Sequence, residues 1–207
     1  MIKLSTYLSR FELSLLYDPS TSPWHLLQKL PDLLRKLQEQ LDDEYVQQGE
    51  AMIHTSAKIE PGVMLKGPMV IGPNCFVGAH AYLRGGVFLD ERVSIGPGCE
   101  IKSSMLFTGT SAAHFNFIGD SIVGSQVNFE AGSITANHYN ERTDKRIFVR
   151  YAGESHDTGV VKFGALIGDG TRIGANAVLS PGTLLEPGSI VGRLELVEQN
   201  PPEHVAQ

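Results

Sequence analysis

From residue 53 the chain keeps a rhythm of six. Branched apolar residues stand at Ile53, Ile59, Leu65, Ile71, Val77, Leu83, Leu89, Ile95 and Ile101. Four positions after each comes a smaller or medium apolar side chain: Ala57, Val63, Met69, Cys75, Ala81, Val87, Val93, Cys99, Met105. The rhythm resumes at Val161, Ile167, Ile173, Leu179, Leu185 and Val191, with Thr171, Ala177, Thr183 and Ser189 at the small positions. A fixed six-residue period over this length predicts an all-β solenoid of short parallel strands. Each hexad supplies one flat side, and three sides close a coil. About seven coils would then stack at the usual strand spacing of about 4.8 Å. Residues 18 apart should lie above one another. Cys75 and Cys99 both fall on the small interior position, which predicts buried free thiols.

Before residue 50 the pattern is different. In SPWHLLQKLPDLLRKLQEQL, Leu26, Leu30, Leu33, Leu37 and Leu41 recur at three- and four-residue spacing, the mark of a helix with one apolar face. Ser22 is placed to cap it, with Pro23 at the first helical position. Pro31 is placed to kink or restart it. A second stripe, Leu4, Leu8, Phe11 and Leu15, predicts a shorter helix. Of the 22 glycines only Gly49 lies in residues 1–50, so the composition changes there. The expected division is a helical segment over 1–50 and a solenoid over 51–207.

Composition narrows the function. The formal net charge of −6 gives no global attraction for nucleic acid or an acidic membrane, so any anionic ligand must be met by a local basic patch. Two cysteines make neither a disulfide framework nor a zinc knuckle. No run of about 18 apolar residues offers a membrane span. Arg10 and Glu12 interrupt the apolar start, which makes it a poor signal peptide and predicts a soluble cytoplasmic protein. Neither a Walker nor a dinucleotide glycine motif is present.

Lys66, Arg84 and Lys102 are 18 apart, each directly after an apolar hexad start. Stacked coils would align them as a ladder. Neighbouring like charges at about 5 Å repel by roughly 1–3 kcal/mol. Three in line, in an acidic chain, point to a bound anion such as a phosphate. Between 101 and 135 the apolar starts fall at Leu106, Ala112, Ile118, Val123, Phe129 and Thr135, so two intervals shrink to five residues. His114 lies in this stretch. The following NHYNERTDKRIFVRYAGESHDTGV carries eight charges and fits no hexad, so a loop over about 138–160 should protrude from the coil.

The segments AYLRGGVFLDERVSIGPGCEIKSS, AHFNFIGDS, VGSQVNFEAGSITAN and KFGALIGDGTRIGANAVLSPGT resemble a known family. It is the C-terminal acetyltransferase domain of the bifunctional UDP-N-acetylglucosamine pyrophosphorylase / glucosamine-1-phosphate N-acetyltransferases, of the hexapeptide-repeat acyltransferase superfamily. SPWHLLQKL is similar to the helical segment that links the two domains there; the pyrophosphorylase domain is missing, so no nucleotidyltransferase activity is expected. The resemblance implies a left-handed parallel β-helix, a homotrimer with sites between subunits, acetyl-CoA as co-substrate and no required metal. It implies His114 as general base, Arg84 and Lys102 on a sugar phosphate, and Phe117, Asn128 and Asn137 on the sugar. Ala131, Ala165 and Ser180 match the acetyl-CoA cleft. Three positions depart from the pattern. Phe117 and His138 stand where the family has tyrosines, and Thr143 stands where it has a lysine, with Lys145 and Arg146 nearby.

Histidine suits proton transfer from an attacking amine because its ordinary pKa lies near neutrality. The expected reaction is acetyl transfer from acetyl-CoA to an amino-sugar phosphate such as glucosamine-1-phosphate, with a backbone N–H near Ala131 as a candidate oxyanion donor. Two other readings stay open: an acyltransferase for a different amino sugar or nucleotide sugar, and a non-catalytic sugar-phosphate-binding trimer.

Overall fold

The computed structural model describes residues 2–9 and 21–199. Phe11 and Leu15 of the first apolar stripe, and Arg10 and Glu12, lie outside them; Leu4–Thr6 forms a 3-10 turn. From Ala51 onward the chain is built on a parallel β-solenoid with hexapeptide repeats, in agreement with a left-handed β-helix. Its second face is a sheet of seven parallel strands, from Lys58–Ile59 to Ile190–Val191. The first face runs from Ala51–His54 through Met69–Ile71 to Thr183–Leu185, and the third from Met64–Lys66 to Leu196–Val197. Strands Tyr82–Leu89 and Glu100–Leu106 turn the corner between third and first faces unbroken, joining those faces into one 13-stranded sheet.

The pairing follows the sequence rhythm. Leu83 lies over Ile101, 18 residues on, but Ile101 lies over Ile118 and Ile118 over Thr135, 17 on. Each five-residue interval is a coil shortened by one residue. The shortening moves Met105 off the interior position. Ser104 takes that place and pairs with Val87, while Met105 pairs with Phe88 and turns outward. A one-residue slip reverses the face of every later side chain in a strand. The interior is a mainly apolar column, with buried Ser104, Asn116 and Thr135 among its polar members, and it includes Cys75 and Cys99, both free thiols. Burial pushes the Cys75 thiol up to about 12 and raises that of Cys99, so both stay protonated.

A second apolar core lies outside the first face. Val70, Met105, Ile122, Leu166 and Leu184 point away from the coil; the helix α1 (Pro23–Gln38) packs over the strands of Val70 and Met105, and Ile2, Leu4, Tyr7 and Leu8 with the insertion complete the cluster. The helix is continuous through Pro31. Its buried face is Leu26, Leu27, Leu30 and Leu34, with Leu33, Leu37 and Leu41 at the margin, so the stripe is rotated from the one predicted. Ser22 occupies the N-cap position, yet its hydroxyl meets His25 Nδ1 at 2.7 Å and caps no backbone N–H. Close approach of the helix depends on Gly86, at φ +95° in the bulge after Arg84; a Cβ there would stand 3.2 Å from Pro31 Cγ. The segment expected to be helical also supplies a strand, Tyr45–Gln48, which pairs antiparallel with Ala51–His54 and ends the stack.

The charged insertion does not protrude freely. Ile147, Val149, Val160 and Phe163 are buried in the same second core, and Phe163 meets Trp24 of the helix edge-on at 5.6 Å. Tyr139 donates its hydroxyl to Pro181 O at 3.0 Å, and Arg142 stacks 3.4 Å from its ring. The outer strand of its hairpin, Glu154–Asp157 against Phe148–Tyr151, and the stretch 143–146 are exposed throughout. Tyr139, Ile147, Val149 and Val160, buried between its charged stretches, carry the insertion back onto the first face.

Candidate functional site

The third face bears the cation ladder. Lys66 pairs with Arg84, and Arg84 with Lys102, in the expected register. The ladder is not bare, however. Arg84 donates through Nε to Glu100 Oε1 at 2.7 Å, and its second guanidinium nitrogen reaches the same oxygen. Lys102 Nζ forms an ion pair with Asp120 Oδ2, both side chains being nearly buried. Asn137 Nδ2 donates to that same oxygen. Lys66 Nζ stands 5.2 Å from the Tyr82 ring centroid, with the Arg84 guanidinium 5.7 Å from the same ring. Carboxylates thus interleave with the cations and remove the repulsion that bare rungs would suffer.

Asp120 and Glu100 are the site residues that sequence reasoning missed. The coil is one residue short here, so the register partner of Lys102 is Gly119, 17 residues on, and Asp120 follows it at the corner. Asp120 stands at the corner after the third face with φ +45°, a backbone region that Asp tolerates better than most residues. Phe117 extends along the same face. A Cβ on Gly119 would meet its ring at 2.7 Å and the Asn137 amide carbon at 3.0 Å, so the absent side chain makes room for both. Phe117, Lys102, Asn137 and Arg84 are therefore one neighbourhood.

His114 lies at the opposite edge of that face, on the corner that follows the second. The six residues from 114 to 120 span at most about 20 Å of extended chain. His114 is exposed, and among the described residues its ring neighbour is the adjacent Phe115, itself 72 % exposed, at 6.0 Å. Ala131 sits directly above it: Gly132 N donates to His114 O at 3.0 Å, and Asn176 N to Ala131 O at 3.0 Å. The corner column reads Ala79, Pro97, His114, Ala131, Ala175, Arg193. Glu60 accepts from the N–H of Ala79, and Glu130 from that of Ala175. Where a carboxylate would meet the N–H of Ala131, the chain has Ala113. Among the described residues that N–H has no acceptor.

The other predicted residues are dispersed. Asn128 is exposed on the second face, in register with Arg172. Ala165 is fully buried on the first face, its N–H given to Ser121 Oγ. Ser180 is buried and donates to Glu198 Oε2 at 3.0 Å. Neither joins Ala131. His138 Nδ1 meets Val161 O at 3.1 Å, and Arg146 is engaged by Asp144 and Asp157. No group of three or more His, Cys, Asp or Glu among the described residues is arranged to hold a metal ion. No helix among them is long and apolar enough to cross a membrane.

A solenoid of hexads with polar side chains gathered on its third face and corner defines a hexapeptide-repeat protein. The family described as hexapeptide repeat of succinyl-transferase matches residues 68–102 and 164–192. The resemblance read from the sequence holds against curated relatives. The chain is 32% identical over 160 residues to a bifunctional sugar-1-phosphate nucleotidylyltransferase/acetyltransferase of Sulfurisphaera tokodaii, covering 74% of this chain and 39% of that protein. It is 30% identical over 200 residues to the bifunctional protein GlmU of Methanococcus vannielii, covering 95% of this chain and 48% of that protein. The chain spans about half or less of the length of these relatives. Among solved structures, the acetyltransferase domain of PglB from Neisseria gonorrhoeae is 16% identical with a TM-score of 0.42, over 86% of this chain and 73% of that one.

Proposed function

We propose that this chain is an acetyl-CoA-dependent N-acetyltransferase acting on an amino-sugar phosphate such as glucosamine-1-phosphate. The observation that carries the reading is the corner at His114: an exposed imidazole with an unpartnered backbone N–H one rung above it. His114 takes the proton of the acceptor amine as nitrogen attacks the thioester carbonyl. The Ala131 N–H donates to the oxyanion, the carbon–sulfur bond breaks, and the thiolate leaves with the proton returned by the imidazolium. Acetyl-CoA lies along the corner column; Ala165 and Ser180 stand at the opposite corner, beside Ser121 and Glu198. The sugar phosphate is held by Arg84 and Lys102, with Phe117 and Asn137 against the ring.

Because His114 and the Lys102–Asp120–Asn137 cluster occupy opposite edges of one face, a neighbouring copy completes the site. The working unit is a homotrimer, and Asn128 serves it across the subunit boundary. The exposed Met64, Ile134 and Leu196 on the third face are the apolar surface such an assembly would cover. Light scattering should give three times the chain mass; a stable monomer would leave the site incomplete.

A second reading is favoured by the neutralised ladder. A phosphate must displace Glu100 and Asp120 from the cations it seeks, and Phe117 offers no hydroxyl. An acceptor without a phosphate, such as a different amino sugar or the sugar end of a nucleotide sugar, meets less competition. Thiol release from acetyl-CoA against a panel of amino-sugar 1-phosphates, free amino sugars and nucleotide amino sugars separates the two. No release with any acceptor leaves a non-catalytic binding trimer.

A further inference from the structure

Asn116 is 2% exposed, at an interior position that holds Ala81, Cys99 and Ala177 in other coils and Ser133 in the next. A buried amide must be paired, and this one is. Its Nδ2 donates to Glu130 O at 2.7 Å and to Ser133 Oγ at 2.8 Å, while its Oδ1 accepts from Cys99 Sγ at 3.5 Å. Ser133 Oγ also donates to Glu130 O, at 3.0 Å. The Glu130 carbonyl thus takes two side-chain donors from inside the coil. That carbonyl and the Ala131 N–H belong to one trans peptide, whose C=O and N–H point in opposite directions. With the C=O held inward, the N–H faces out, one rung above His114. Elsewhere in the corner column the hold comes from the other side. The N–H groups of Ala79 and Ala175 are fixed from outside, by the carboxylates of Glu60 and Glu130. Beneath the Ala79 peptide the interior residue is Val63, which has no donor to offer. At Ala131 the outer carboxylate is missing and an inner donor is present.

From this reversal we infer that Asn116 is a positioning residue for acetyl transfer: its buried amide fixes the Glu130–Ala131 peptide so that the Ala131 N–H is aimed outward, free to donate to the developing oxyanion. The inference rests on the acetyltransferase reading above. An outer carboxylate would orient the N–H equally well, but it would occupy the donor and repel the negative charge that forms during attack. Holding the peptide by its carbonyl orients the donor and leaves it open. A carbonyl that already accepts hydrogen bonds also polarises its own N–H. A donor fixed in advance needs no reorganisation as charge develops. Asn116 follows His114 by two residues in the same corner, and Gly132 N donates to His114 O at 3.0 Å. One buried side chain inside and one backbone bond outside therefore set the donor's corner against the base's corner.

The test is steady-state thiol release from acetyl-CoA by the full chain, with the acceptor of the panel above that supports it. Asn116→Leu is similar in size and has no donor. It should lower kcat by about tenfold to a hundredfold, the scale of a misplaced catalytic donor, and leave the KM for acetyl-CoA and for the acceptor unchanged. The pH profile of kcat should keep its shape, because His114 is untouched. Asn116→Ser installs the residue that the next coil buries at Ser133, ends two bonds earlier, and should show the same loss of kcat should the leucine variant fail to fold. Leu30→Ala, destabilised at a distance, controls for stability: a kcat loss shared with it would make Asn116 merely structural and overturn the inference. Wild-type kcat in a folded Asn116 variant, or a loss carried by KM alone, would overturn it too and leave the acetyltransferase reading standing. No release by the wild-type chain with any acceptor would overturn both.

Discussion

The first and third faces of the solenoid share one interior and differ outside. On the first face the outward residues are apolar, Val70, Met105, Ile122, Leu166 and Leu184, and a helix and an insertion cover them. On the third face the outward positions hold Arg84, Glu100, Lys102 and Phe117, and no part of the described chain covers them. The repeat constrains only the inward side chains, so each face is free to spend its outward ones differently. One face becomes a second core that holds the appendages. The other keeps charged side chains on neighbouring rungs, with exposed Met64, Ile134 and Leu196 on the same face, where a ligand can meet several at once.

The contrast is broken most severely at the edge of the open face. His114→Ala should lower turnover by about 10²–10⁴-fold, the range for loss of a general base, with the thermal midpoint unmoved. Near-normal turnover, or unfolding, would make the histidine structural. The covered face should respond in the opposite sense. Leu30→Ala removes a side chain that is 1% exposed between helix and sheet, and should cost about 2–5 kcal/mol in denaturant unfolding. Catalysis by the folded fraction should survive; a specific loss of kcat would tie the helix to the site.

On the open face again, Lys102→Met should weaken sugar-phosphate binding by roughly 10- to 150-fold while acetyl-CoA affinity holds. An equal loss for both ligands would make the ladder a structural network. The smallest effect concerns the bridge from Glu130 to Arg193. The Arg193 guanidinium, with the Ala175 N–H, holds the Glu130 carboxyl at about 2, below its ordinary value near 4.5. A depressed carboxyl stabilises the fold above its ordinary value, and that contribution fades as pH falls toward 2. Wild type and Glu130→Gln should thus differ slightly in stability at pH 6 and converge near pH 2. A gap that widens on acidification would reverse the assignment.

Much of the solenoid was legible because inward positions obey a short period. The hexads located the coils, the buried thiols, the two shortened coils and the alignment of Lys66, Arg84 and Lys102. Met105 was misassigned because a one-residue slip exchanges inside for outside, and an apolar residue suits either side when both are buried. The rotated helix face and the docked insertion have the same origin: apolar side chains announce burial without naming what buries them.

In the candidate site, residue types were legible and pairings were not. The sequence by itself determined that the chain coils in hexads and that three cations align. Those follow from periodicity, which is local. Only the tertiary structure decided that Asp120 and Glu100 neutralise the ladder, that Ala165 sits in the core away from Ala131, and that the Ala131 N–H lacks the carboxylate given to Ala79 and Ala175. Such facts depend on which side chains meet between rungs, and a contact made across a coil leaves no period in the chain.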